Sequence, residues 1–245
     1  LPRTNSKISR FDLQPGRVIG GKYVIERKLG GGWEGEVYEV VERRTGVHRA
    51  AKLFFPHRNE GDRAFTFYAR KLERLAACPI VIQYHHSETI RFHGERITCL
   101  ISQLVDGELL ADFVKRQPGG RMHSFEALHL IYALAVGLEE IHKRKEYHGD
   151  LHEYNVLIKR HGIFFDVMVL DFYHWGRPTA AHIREDVADL IRLLYDAVGG
   201  RKHYGSQPPE IKAICRGLRK DLISRHFPTA RHLREHLERF EWGSH

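Results

Sequence analysis

The chain has 245 residues, 42% of them apolar and 29% charged, a balance that allows packed cores and excludes collagen-like, disordered and multi-span membrane classes. Its 39 Lys and Arg against 31 Asp and Glu leave a formal net charge of +8. Residues 201–245 carry ten basic against five acidic residues, so the excess is local: a solvated helical face, or a docking surface for an acidic partner, rather than a nucleic-acid site.

The first third reads as strands. Tyr23–Leu29, Glu36–Val41 and Arg49–Phe55 cluster β-branched and aromatic residues around the turns Gly30-Gly31-Gly32 and Arg44-Thr45-Gly46, which predicts an antiparallel meander. Phe65, Tyr68, Leu72 and Leu75 recur at helical spacing between Asp62 and Ala77, predicting one helix. Ile80–Ser87 and Ile97–Leu104 add two strands about a His93-Gly94 turn, for a sheet of about five. From Leu109 the texture becomes helical. Ser124–His142 carries a wide apolar stripe with Ser124 as its cap, and Asn155–Ile158 and Val167–Phe172 are short strands. Asp186–Val198, Ile211–Leu222 and Thr229–Phe240 read as helices. A strand-rich front and a helix-rich back predict an α+β chain of two lobes.

Four motifs carry chemistry. Gly30-Gly31-Gly32-Trp33-Glu34-Gly35-Glu36-Val37 has G-x-G-x-x-G-x-V spacing between two strands, where backbone amides can lie over nucleotide phosphates. Ala50-Ala51-Lys52-Leu53-Phe54 sets a lysine in an apolar strand. His148-Gly149-Asp150-Leu151-His152-Glu153-Tyr154-Asn155 gathers a carboxylate, imidazoles and an amide in one loop after the long helix. Asp171-Phe172 closes the next strand. Cys78, Cys99 and Cys215 lack metal-ligand spacing and an even count, so they read as free thiols in a reducing setting. No apolar run reaches the ~18 residues of a membrane helix and no signal-peptide core opens the chain, so a cytoplasmic location is expected.

In this order the motifs resemble those of bacterial-type Ser/Thr protein kinases, over nearly the whole chain from about Val18. The resemblance implies an N-terminal extension at 1–17, an N-lobe with a five-stranded antiparallel sheet and one helix at 18–104, and a mainly helical C-lobe at 105–245. It implies ATP and Mg²⁺ as cofactors, with Mn²⁺ as a substitute. Gly30, Gly31, Gly32, Gly35, Val37 and Ala50 would line the nucleotide, and Lys52 would hold its α- and β-phosphates. Gln103 and Val105 would contact adenine through their backbone, after Ser102. Asp150 would be the catalytic base, Asn155 and Asp171 the metal ligands. His148 and Asp186 would support the loop, and Glu73, on the side of Ala69 and Ala76, would pair with Lys52.

The pattern also departs from that family. Gly149 stands where an arginine is expected, and Tyr173 replaces the glycine after Asp171-Phe172. His152 replaces a lysine, so that this loop resembles aminoglycoside and choline kinases; it would touch phosphate with a side chain whose type changes charge near neutral pH. Only fifteen residues separate Asp171 from Asp186, without Ala-Pro-Glu. The expectation is an always-on phosphotransferase acting on Ser/Thr of itself or a protein partner. A small-molecule kinase and a nucleotide-binding pseudokinase are the alternatives.

Overall fold

The computed structural model describes residues 8–174 and 176–239; the first seven residues of the expected extension and the end of the last expected helix at Phe240 lie outside them. The chain divides into two compact units, the first running to Ala76 and resuming at Ile82–Val105, the second made of Ala77–Val81 and the chain from Asp106.

In the first unit β1 (Val18–Ile19), β2 (Tyr23–Gly31), β3 (Gly35–Glu42) and β4 (His48–Phe54) precede helix α1 (Arg63–Arg74), and β5 (Tyr84–Phe92) and β6 (Glu95–Gln103) follow it. They form one antiparallel sheet in the order β1-β2-β3-β4-β6-β5. The sixth strand is the two-residue β1, too short to leave a periodic signal. Alternation along β3 and β4 sorts side chains to two faces. Ile25, Tyr38, Val40, Ala51 and Leu53 are buried in one core, and Phe11 and Leu13 belong to it. The described part of the expected extension thus packs onto this unit through Phe11 and Leu13, with Ile8 partly buried against them. On the other face of β4, Phe54 meets Phe65 of α1 edge-on, with ring centroids 6.1 Å apart.

The second unit holds β7 (Glu108–Leu109), α2 (Leu110–Arg116), α3 (Ser124–Lys143), β8 (Val156–His161) and β9 (Phe164–Val169). After them come α4 (Ala180–Ala197), α5 (Gly200–His203), α6 (Pro209–Cys215), α7 (Lys220–His226) and α8 (Ala230–Glu238). A small antiparallel sheet runs β7-β8-β9. The segment expected to open a strand at Ile80 belongs here instead: Val169 N–H donates to Ile80 O at 2.8 Å, and Val81 bridges to Val169. Ser124 is not the cap of α3. His123 Nδ1 accepts from Phe125 N–H at 3.3 Å, and Ser124 Oγ donates to Gln207. Helix α4 starts six residues before Asp186 because Thr179 Oγ1 caps it through His182 N–H. The expected helix Ile211–Leu222 breaks into α6 and α7 where Arg216, Gly217 and Leu218 all take positive φ.

All three cysteines are free and buried, and burial pushes their thiols up, Cys215 to about 12. Inert packing follows. Part of the basic C-terminal charge is met within its own unit, Lys220 by Glu185, Arg231 by Glu235, and Arg234 by Glu139 and Glu238. No helix among the described residues is long and apolar enough to cross a membrane.

Candidate active site

The glycine hairpin joins β2 to β3 with an unequal demand on its glycines. A Cβ on Gly35 would lie 2.0 Å from Leu53 O, whereas Gly30 and Gly32 have open space. Gly35 is therefore fixed by the close approach of β4, while Gly30 and Gly32 leave backbone bare for a ligand. Gly32 N–H donates to Gly35 O at 2.9 Å, and Phe55 N–H donates to Glu34 O at 2.8 Å, pinning the tip to the end of β4.

Lys52 pairs in register with Val37 and Leu100 and is only 8% exposed. A buried ammonium requires a counter-charge. Glu34 Oε2 supplies it at 3.0 Å, and the rings of Tyr68 and Phe54 lie 4.7 and 5.4 Å from Nζ. The expected partner Glu73 is exposed. The buried face of α1 is formed by Tyr68, Ala69, Lys71 and Leu72, and Glu73 lies about 140° round the helix from Tyr68 at 3.6 residues per turn. The Ala69–Ala76 side that suggested Glu73 is thus not the face that meets Lys52.

Glu36, two residues beyond Glu34, goes to the opposite face. It accepts from Lys28 Nζ at 2.5 Å, from Tyr38 OH, and from the Phe11 and Asp12 N–H groups at 3.3 and 3.1 Å. Burial pushes its carboxyl up, but these bonds outweigh burial and hold it below the ordinary value of 4.5. Sequence reasoning passed over both glutamates because Glu34 reads as a solvated turn residue and Glu36 as the exposed start of a strand. At the other end of the sheet, Gln103 N–H donates to Gln83 O at 2.9 Å. Ser102 is buried behind it.

In the second unit the loop after α3 is built around Asp186, which is fully buried. Its carboxylate accepts from His148 N–H at 2.7 Å, Gly149 N–H at 2.8 Å and His142 Nε2 at 3.0 Å. Gly149 has φ of 85°, a left-handed turn that favours glycine and accounts for its standing where the arginine was expected. His148 Nε2–H donates to Leu170 O at 2.8 Å while Nδ1 accepts from Asp150 N–H at 3.3 Å. Those two bonds are satisfied together by a neutral ring protonated at Nε2.

Asp150, by contrast, presents a half-exposed carboxylate. Asn155 Nδ2–H donates to Asp150 O at 2.9 Å and lies 3.5 Å from its Oδ2. His152 Nδ1 accepts from Tyr154 N–H at 3.2 Å, and its Nε2 faces Asp150 Oδ2 at 3.6 Å. Leu170 N–H donates to Asn155 O, and Tyr173 N–H to His148 O, at 2.8 and 3.0 Å. Between those anchors Asp171 sits with φ of 52° and is exposed, a backbone outlier of the kind that clusters at functional sites. Phe172 is buried, its ring 4.8 Å from that of His148. The loop thus brings Asp150, His152 and Asn155 together, and the same bonds tie Asp171 to it.

Two oxygen donors suit Mg²⁺, which is usually held by one or two protein groups together with phosphates. Asn155 donates through Nδ2 to Asp150, so Oδ1 is the atom that would face a metal, and the Asp171 side chain is exposed. No group of three or more His, Cys, Asp or Glu placed to hold a metal occurs among the described residues.

Comparison with known proteins places the chain in a family. Residues 23–184 match the family described as the protein kinase domain. The chain is 30% identical over 211 residues to the serine/threonine-protein kinase pkn2 of Myxococcus xanthus, covering 84% of this chain and 24% of that protein. It is 28% identical over 158 residues to the serine/threonine-protein kinase PknA of Corynebacterium glutamicum (63% and 33% covered). With PrkC of Bacillus subtilis it shares 26% over 160 residues (64% and 23% covered). The chain thus spans a quarter to a third of the length of these relatives. Among solved structures, the kinase domain of Mycobacterium tuberculosis PknI has a similar fold, with a TM-score of 0.64 at 21% identity, covering 93% of this chain and 99% of that one.

Proposed function

The chain belongs to the protein kinase family, and from that premise we propose that it transfers the γ-phosphoryl group of ATP to a Ser or Thr hydroxyl, on itself or on a protein partner. The observation that carries this reading is the Asp150 loop: a half-exposed carboxylate on a backbone anchored by fully buried Asp186. Asp150 orients the acceptor hydroxyl and takes its proton, and Asn155 holds Asp150 for that task. Lys52 meets the α- and β-phosphates, and the backbone at Gly30 and Gly32, free of side chains, covers them. Mg²⁺, held by Asn155 and Asp171, would neutralise charge on the phosphates. His152 reaches toward the transferred group.

The segment after Asp171 supports a form that needs no phosphorylation switch. It is short in sequence, and Tyr147 OH donates to Gly176 O at 3.0 Å while the Tyr147 ring stacks on His182. Gly149 removes the arginine by which relatives would read a phosphorylated segment. A small alcohol is the second reading for the acceptor, favoured by His152 beside Asp150.

Incubation with γ-labelled ATP and Mg²⁺, alone, with generic protein substrates and with a panel of small alcohols, tests the proposal. Label on Ser or Thr that disappears in Asp150→Ala supports it. Label on a small alcohol selects the second reading, and ATP binding without turnover sinks both.

A further inference from the structure

We propose that Glu34, at the tip of the glycine hairpin, is the positioning residue for Lys52, doing from the hairpin what the helix carboxylate was expected to do from α1. The proposal rests on the kinase reading for its catalytic consequence, and on geometry within the first unit for the pairing itself.

Three observations carry it. Lys52 Nζ lies 3.0 Å from Glu34 Oε2 in a place where the lysine side chain is 10% exposed and the glutamate 29%, so the pair is partly desolvated and less screened by salt than a surface bridge. The tip that carries Glu34 is fixed by the Phe55–Glu34 backbone bond and by the packing of Gly35 against β4, which leaves no room for a Cβ beside Leu53 O, so the carboxylate is delivered with little ordering cost. On α1, the residue facing Nζ is Tyr68, whose ring at 4.7 Å gives a cation–π contact and no charge. The one carboxylate of α1, Glu73, is exposed.

Glu36 cannot substitute for Glu34. Its side chain lies on the core face of β3 with Tyr38, where Lys28, Tyr38 and two backbone N–H groups engage it. The hairpin therefore splits its two carboxylates, one to the lysine and one to the core. The consequence is that the loop expected to cover phosphates also sets the position of the lysine that binds them. The three N–H donors of an ammonium suffice for a carboxylate and a phosphate oxygen together, so hairpin placement and nucleotide affinity are linked.

The test compares wild type, Glu34→Ala, Glu34→Asp and the double variant Glu34→Ala/Tyr68→Glu by two readouts. One is the rate at which Lys52 Nζ is acylated by an amine-reactive reagent, followed by peptide mass spectrometry. Removing the Glu34 carboxylate takes away a charge that favours the protonated amine, so Glu34→Ala is expected to react several-fold faster, with Glu34→Asp and the double variant returning toward wild type. The other readout is kcat/KM for ATP, expected to fall by about tenfold to a hundredfold in Glu34→Ala, the scale of a misplaced reacting group, and to recover at least in part in the double variant. Melting temperatures identify any variant that fails to fold, and Glu34→Asp provides the conservative comparison if Tyr68→Glu does. Unchanged acylation in folded Glu34→Ala overturns the proposal. Faster acylation with rescue, in a protein whose wild type transfers no phosphate, upholds the pairing and rejects the kinase reading instead.

Discussion

The Asp150 loop of the second unit and the glycine hairpin of the first hold charged groups by opposite means. In the loop the anchoring charge is out of reach of solvent: Asp186 is fully buried and spends both oxygens on backbone N–H groups, so position is set by main chain. In the hairpin the anchoring charge comes from a partly exposed side chain at the tip of a turn. The difference teaches where each part can yield. A backbone-anchored base keeps its place whatever binds, whereas a side-chain pair at a turn can re-form around a phosphate.

The largest expected effect breaks the loop at its exposed end. Asp150→Ala should lower kcat by about 10²–10⁴-fold, the usual worth of a general base, with little change in stability because the side chain is half-exposed. Steady-state ADP release beside a melting curve checks both. Breaking the buried end should invert that pattern. Asp186→Asn turns one acceptor oxygen into a donor facing an N–H, and a denaturant titration should show a loss of about 2–4 kcal/mol.

In the hairpin, Glu36→Gln should cost about 1–3 kcal/mol by weakening the bonds to Lys28 and the residue-11 and residue-12 amides. Because the folded carboxyl is held below 4.5, its contribution is present above that value and lost as pH falls through the lower folded value. The gap between wild type and Glu36→Gln should therefore narrow in acid; a constant gap from neutral pH to pH 3 would show that the charge is not what holds the segment.

The smallest expected effect sharpens the contrast between useful and costly buried charge. Burial, with help from Glu185 and Asp186, pushes Asp189 up to about 7 from 3.8. The folded state then binds the extra proton between those values, so stability contributed by this group falls as pH rises from about 4 to about 7. Asp189→Asn should flatten that slope and leave the protein slightly more stable at pH 8, measured by melting temperature across pH.

The sequence made the second unit's chemistry legible for a physical reason: His148, Asp150, His152 and Asn155 lie in one loop, and contacts between neighbours in a loop follow from spacing. Lys52 was legible as a charge in an apolar strand. Its partner was not, since Glu34 reaches it only through the β3–β4 register and the tip bond to Phe55, and since the buried lysine at position 71 disguises the inner face of α1. Phe11 and Leu13 escaped notice for want of any periodicity, although they complete the core beside Tyr38. The two-residue strands β1 and β7 and the seven-residue α2 were too short to show a pattern. The break between α6 and α7 turned on backbone φ at Arg216 and Leu218, which composition does not signal.

The most direct test of the central claim is intact-mass and peptide analysis of the purified protein after incubation with ATP and Mg²⁺, wild type beside Asp150→Ala. Phosphate is expected on Ser or Thr of the wild-type chain, or of an added protein, with ADP formed in step, and none in the variant. Equal phosphate in both proteins, or ATP bound by wild type with neither ADP nor phosphoprotein formed, would contradict it.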